Sequence, residues 1–92
     1  MRSRYTAFVL LNESYLRASW QASTRPISVE FQAGMKWLGL KIVSAQETGD
    51  RATIEFIARY RVGGGSASRL HERSNFVREQ GRWLYVDGVH PA

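Results

Sequence analysis

The 92-residue sequence contains no cysteine, two prolines and two lysines. Without cysteine, neither a disulfide nor a thiolate-held zinc can staple the fold. The absence says nothing about compartment. No apolar run approaches the length of a membrane span, and Met1-Arg-Ser-Arg-Tyr5 lacks the cleavage pattern of a secretory signal. A soluble, cytoplasmic domain with no membrane partner is the expectation. Charge runs are missing too. The net charge of +5 comes largely from eleven arginines, but no five basic residues are consecutive. A solvated basic surface explains them better than a nucleic-acid site, so nucleic acid is set aside as a partner, with weak binding through scattered Arg kept as an alternative. Low complexity is confined to Gly63-Gly64-Gly65-Ser66. No Lys and no helix follow it, so it reads as a hairpin loop rather than a phosphate cradle.

What is present is one domain with an aromatic core. A chain this short buries only about 60–65% of its unfolded surface, so its three Trp, four Tyr and four Phe carry much of the packing. The organising stretch is Thr53 to Val62. Ile54, Phe56, Ala58, Tyr60 and Val62 share one parity; Thr53, Glu55, Arg59 and Arg61 share the other, with Ile57 the exception. That alternation predicts a strand with one buried and one wet side. Lys36 to Thr48 reads as the preceding strand, with a bulge or bend at Gly39. Arg69 to Arg78 and Arg82 to Val89 read as the third and fourth, joined at Gln80-Gly81.

Before the strands, Met1 to Leu11 fits a helix with no obvious cap, which suggests a natural chain that begins earlier. Tyr5, Phe8 and Val9 recur near helical spacing. Asn12 caps a second helix from Glu13 to Trp20. Asn12-Glu13-Ser14 also fits a glycosylation sequon, but nothing marks secretion and capping explains Asn12 locally. Ser23 to Pro26 is a loop, and Ile27 to Gly34 fits either a short helix or a strand. Helices followed by an antiparallel meander of about four strands give an α+β fold, with the helices on the Phe56 and Tyr60 face.

A two-residue turn at Gln80-Gly81 pairs Phe76 with Tyr85 and Ser74 with Asp87. Glu72, Ser74, Phe76, Tyr85 and Asp87 then form one surface, and Val77, Leu84 and Val86 the other; a bulge would mix the sets. Glu72 and Asp87 are the candidate general acid or base, because a carboxylate on an apolar face has a raised pKa. The competing reading pairs each with an arginine, Arg2 or Arg4 being the natural partners. His71-Glu72 is no metal site: a second His at the required spacing is missing, and neighbours on a strand face opposite ways. Ile57 hints that the outer face is covered, by a second copy in a homodimer or by a flanking segment.

Three stretches resemble the YchJ-like bacterial proteins: Met1-Arg-Ser-Arg-Tyr-Thr-Ala-Phe-Val9, Tyr15-Leu-Arg-Ala-Ser-Trp20 with Ser23-Thr-Arg-Pro26, and Trp37-Leu-Gly-Leu40. Ile54-Glu-Phe-Ile-Ala-Arg-Tyr60, Glu72-Arg-Ser-Asn-Phe76 and Gly81-Arg-Trp-Leu-Tyr-Val-Asp-Gly88 extend the likeness over almost the whole chain. One departure is Gln21-Ala22, where the family carries His-Pro. The resemblance implies a nuclear transport factor 2-like, cystatin-like cone: a bent antiparallel sheet wrapped around helices. It implies that 1–92 is the middle domain of a longer chain whose Cys-rich SEC-C flanks resemble the zinc-binding tail of the SecA motor, with no cofactor in this domain. The fold hosts both enzymes and binding modules. The expected function is therefore binding of a small molecule or protein in a cone-shaped pocket lined by Tyr5, Trp20, Phe56, Tyr60, Phe76 and Tyr85. The alternative is an isomerase- or dehydratase-like enzyme using Glu72 or Asp87.

Overall fold

In a computed structural model, residues 1–91 are described, in the order α1 (Arg2–Val9), α2 (Glu13–Ala18), β1 (Met35–Thr48), β2 (Arg51–Val62), β3 (Ser68–Glu79) and β4 (Arg82–Val89). The strands form one antiparallel sheet in the order β1-β2-β3-β4. The α+β arrangement of N-terminal helices packed on a four-stranded sheet is as the sequence predicts.

Local chemistry accounts for the boundaries. The Asn12 side chain accepts a 3.1 Å hydrogen bond from the Tyr15 amide, which caps α2. The first helix has no side-chain cap and ends at Val9. Leu11, at φ 54°, then turns the chain into α2. Between β3 and β4, Gln80 and Gly81 both have positive φ, 53° and 77°, the conformation of a tight two-residue hairpin turn. The ambiguous stretch from Ile27 to Gly34 forms neither helix nor strand. It is pinned at several points: Arg17 donates to the Pro26 carbonyl, the Val29 amide donates to Glu13, and Phe31 meets Phe8 edge-on.

Two bulges in β1 decide which of its residues face the helices. Pairing slips between Trp37 and Gly39, and again between Ile42 and Ser44. The first slip brings Trp37 onto the same face as Leu40 and Ile42, although their sequence parity differs. That inner face carries Phe56, Ala58, Ser74 and Phe76, all buried, and with Ala7 and Leu16 from the helices they make the core. Trp37 is half-buried there and contacts Tyr5, Phe8 and Tyr60.

A third slip, between Asn75 and Phe76, corrects the expected β3–β4 pairing. Phe76 still opposes Tyr85, but Ser74 opposes Gly88, and Asp87 opposes Asn75. The extra residue, Val86, inverts the parity of everything after it. Asp87 therefore stands on the outer face, exposed, accepting a 2.8 Å hydrogen bond from the Asn75 side-chain Nδ2.

The β4 edge is closed by the chain itself. The Tyr85 amide donates to the Ser19 carbonyl and the Gln21 amide to the Tyr85 carbonyl, so Trp20 forms a parallel bridge with Tyr85. Thr24 adds a bond to the Val86 carbonyl. Ile57 is half-buried on the outer face, between Lys41 of β1 and His71 of β3. Its own strand neighbours cover it, so it gives no sign of a second chain.

Candidate functional site

The first helix meets the sheet at a buried arginine. Arg4 is 4% exposed, and its guanidinium donates to the Leu16 carbonyl at 3.1 Å and to the Ser19 hydroxyl at 2.7 Å. Its terminal carbon sits 5.0 Å from the Trp20 ring centre and 4.5 Å from that of Tyr85. Among the described residues no carboxylate is within ion-pair distance of Arg4, so the two ring faces help to carry its charge. Burial lowers its pKa, while the nearby Tyr85, Tyr15 and Glu72 act the other way.

Above Arg4 opens a cleft of about 640 Å³ between the helices and the inner face of the sheet. Its walls are mostly apolar, with Phe8, Trp37, Phe56 and Leu70 prominent; Arg4, Glu72 and Tyr85 are polar groups in its lining. Pockets of this size, largely apolar with few convergent polar groups, are typical of small-molecule sites. The Glu72 carboxylate accepts from the Ser74 hydroxyl at 2.6 Å and from the Tyr85 hydroxyl at 3.3 Å, both on Oε2. Oε1 accepts no hydrogen bond from the described residues. Burial raises the Tyr85 pKa well above the usual phenol range, and the Glu72 charge and hydrogen bond add to the rise. Trp20 also lines the cleft, and its ring nitrogen is buried with no hydrogen-bond partner.

The slip at Val86 makes room for this carboxylate. Gly88 lies directly beneath Glu72, and a Cβ at Gly88 would occupy the place of its carboxyl group. Of the eight residues singled out in the sequence, Tyr5, Trp20, Phe56, Glu72 and Tyr85 line the cleft. Phe76 is buried behind Tyr85, and Tyr60 packs on Trp37. Asp87 is outside, and neither it nor Glu72 is paired with an arginine among the described residues. The sequence pattern missed the location of Arg4, since a helix whose buried positions are Arg4 and Ala7 has no apolar stripe to mark them. It missed Gly88 because one unpaired residue upstream decides its face.

Residues 1–88 match the family model described as YchJ, middle NTF2-like domain. The chain belongs to this family. A UPF0225 protein of Polaromonas naphthalenivorans is 57% identical over 89 residues, covering 96% of this chain and 65% of the relative. One from Xanthomonas campestris pv. campestris is 52% identical, covering 95% of this chain and 70% of the relative. The chain thus spans only about two thirds of the length of such relatives. The solution structure of a SEC-C motif containing protein from Rhodopseudomonas palustris superimposes with a TM-score of 0.88 at 34% identity, covering all of this chain and 76% of that one.

That neighbour corrects one expectation. Nucleic acid was set aside because the arginines are scattered along the sequence. The solved relative is a SEC-C motif containing protein, and beside that relative the exclusion does not stand. Among the described residues there is no group of three or more His, Cys, Asp or Glu able to hold a metal ion, and no helix is long and apolar enough to cross a membrane.

Proposed function

We propose that this YchJ-like domain is a small-molecule-binding module, in which helices and sheet act as a cone around a ligand. The observation that carries the proposal is Glu72: a carboxylate in an apolar cleft, held by two hydroxyl donors on one oxygen, with the other oxygen unused. A half-buried acceptor of this kind favours a ligand with an apolar body and a hydroxyl or amino donor, because a ligand that excludes water from a charged group without bonding to it incurs a cost. Arg4 is committed to Leu16, Ser19 and the two rings, so it shapes the floor rather than capturing an anion. We further read residues 1–92 as the middle domain of a longer chain with Cys-rich, zinc-holding flanks. The partial coverage of the relatives supports that division.

The probe is 2-naphthol, compared with 2-methoxynaphthalene, which has the same apolar body but no donor. Titration followed by NMR should shift the indole signals of Trp20 and Trp37, and 2-naphthol should bind roughly tenfold tighter, the worth of one hydrogen bond to a charged acceptor. Glu72→Leu should remove the preference while apolar binding persists. Indole signals that stay put at millimolar probe, or equal affinity for the two probes, would refute the reading.

A second reading is isomerase- or dehydratase-like proton transfer. The free Oε1 favours it, with Glu72 as the acid/base candidate on the sheet wall of the cleft once Asp87 is turned outward; Glu30, from the loop before β1, also lines the cleft. It predicts deuterium uptake at the carbon beside the carbonyl of bound 2-tetralone, lost in Glu72→Gln. Uptake at the same rate in both proteins would exclude it.

A further inference from the structure

Antiparallel register gathers what the sequence scatters. On the outer face of the sheet Lys36 opposes Arg61, and Arg59 opposes Gly39 on one side and Arg69 on the other. Lys41 opposes Ile57, the next outward-facing residue along β2 from Arg59. All five basic side chains are exposed. With strands about 4.8 Å apart and same-face residues about 6.8 Å apart, they fall within a patch of roughly 10 by 14 Å. Among the described residues none of them has an ion-pair partner. The nearest acid on this face is Glu55, and His71 and Arg73 both contact its carboxylate, at 2.8 and 3.2 Å.

Like charges placed directly opposite one another across a sheet destabilise it. Lys36–Arg61 and Arg59–Arg69 are two such pairs, side by side, at the end of the sheet next to the Gly63–Gly65 turn. Folding gives no reason for them; an anion spanning the face does. We propose that this face binds the phosphate backbone of duplex nucleic acid. Arginine predominates in the patch, and its planar fork suits phosphate oxygens. The outer face carries no Phe, Tyr or Trp among the described residues, and its imidazole at His71 is engaged by Glu55. A stacking platform for unpaired bases is thus missing, which favours the more densely charged duplex over a single strand. Contacts of this kind position a backbone and read no sequence. Apart from Lys36, on the edge strand, which also borders the cleft, the patch lies on the opposite face from Glu72.

Fluorescence anisotropy of the 92-residue chain with labelled 20-base-pair duplexes, from 20 to 200 mM NaCl, tests this. Two duplexes of unrelated sequence should bind alike, with dissociation constants around 1–100 μM and log K falling against log salt with a slope of about −4. A single strand of equal length should bind more weakly. Arg59→Gln with Arg61→Gln should weaken duplex binding tenfold or more at 20 mM salt and reduce the slope by about 2. Arg2→Gln with Arg82→Gln removes the same charge elsewhere and should have a smaller effect. No binding at 20 mM salt, equal losses from the two double variants, or tighter binding to polyglutamate or to phosphatidylserine vesicles would overturn the proposal. Unchanged circular dichroism of the variants separates lost binding from lost folding.

Discussion

Arg4 is the residue on which the two halves of the fold depend. Its side chain ties the last turn of α2 to Tyr85 of β4 through two hydrogen bonds and two ring contacts. A truncated side chain would leave a void, and the Leu16 carbonyl would lose its guanidinium donor. Arg4→Ala should therefore lower stability by about 3 kcal/mol, a substantial part of what a domain of this size possesses. Urea unfolding measures it. A loss below about 1 kcal/mol would mean that the guanidinium contributes little to joining helices and sheet. Arg4→Lys should recover only part, because an ammonium cannot spread its charge over two rings while keeping the same fork of bonds.

At the scale of elements, the β3–β4 hairpin shows how much of the architecture can be read from residues alone. Gln80-Gly81 predicts the turn, and the pairing of Glu79 with Arg82, Arg78 with Trp83 and Phe76 with Tyr85 follows by counting. Counting fails at Val86, since nothing in Tyr85-Val86-Asp87-Gly88 distinguishes a bulged valine from a paired one. The slip is set by what must fit across the sheet, Glu72 over Gly88, and tertiary fit leaves no local signature. The same holds in β1, where Gly39 signals a bulge but Val43 does not. The turn itself is open to improvement. Gln80 sits at φ 53°, a region where most side chains cost about 1 kcal/mol and Asn much less. Gln80→Asn should raise the urea midpoint, stabilising by roughly 0.5–1 kcal/mol without changing the slope. A lowered midpoint would show that the Gln80 side chain has a role the turn geometry does not account for.

At the scale of the whole molecule, two faces of one sheet have separate chemistry. The inner face holds a largely apolar cleft lined by Glu72, and the outer face holds a basic patch apart from the cluster of Glu55, His71 and Arg73. The inner face also shapes the pH response. Tyr85 has a raised pKa in the folded state, first from burial and then from Glu72. Its neutral form is the one that folding favours. The associated stability is fully present below the ordinary phenol pKa of about 10 and is lost as pH rises above it toward the folded value. Stability should accordingly fall above about pH 10, and less steeply in Tyr85→Phe. Absorbance at about 295 nm should show one tyrosine component, absent in Tyr85→Phe, that ionises only in step with unfolding. Ionisation of that component at about pH 10 in a still-folded chain would contradict this account.

The slip at Val86 has a further meaning when sequences are compared by insertion and deletion. Everything beyond it is out of phase by one residue with the expected pairing, and that phase alone keeps Asp87 out of the cleft. Deleting Val86 would remove the bulge and leave Asp87 opposite Asn75 and Gly88 opposite Ser74, so the cleft would keep its lining. Pairing Val86 with Asn75 instead would carry Asp87 inward opposite Ser74 and move Gly88 to the outside, and the space that Gly88 leaves for Glu72 would close. Which residue of β4 goes unpaired, and not how many residues it has, decides which acid meets the cleft.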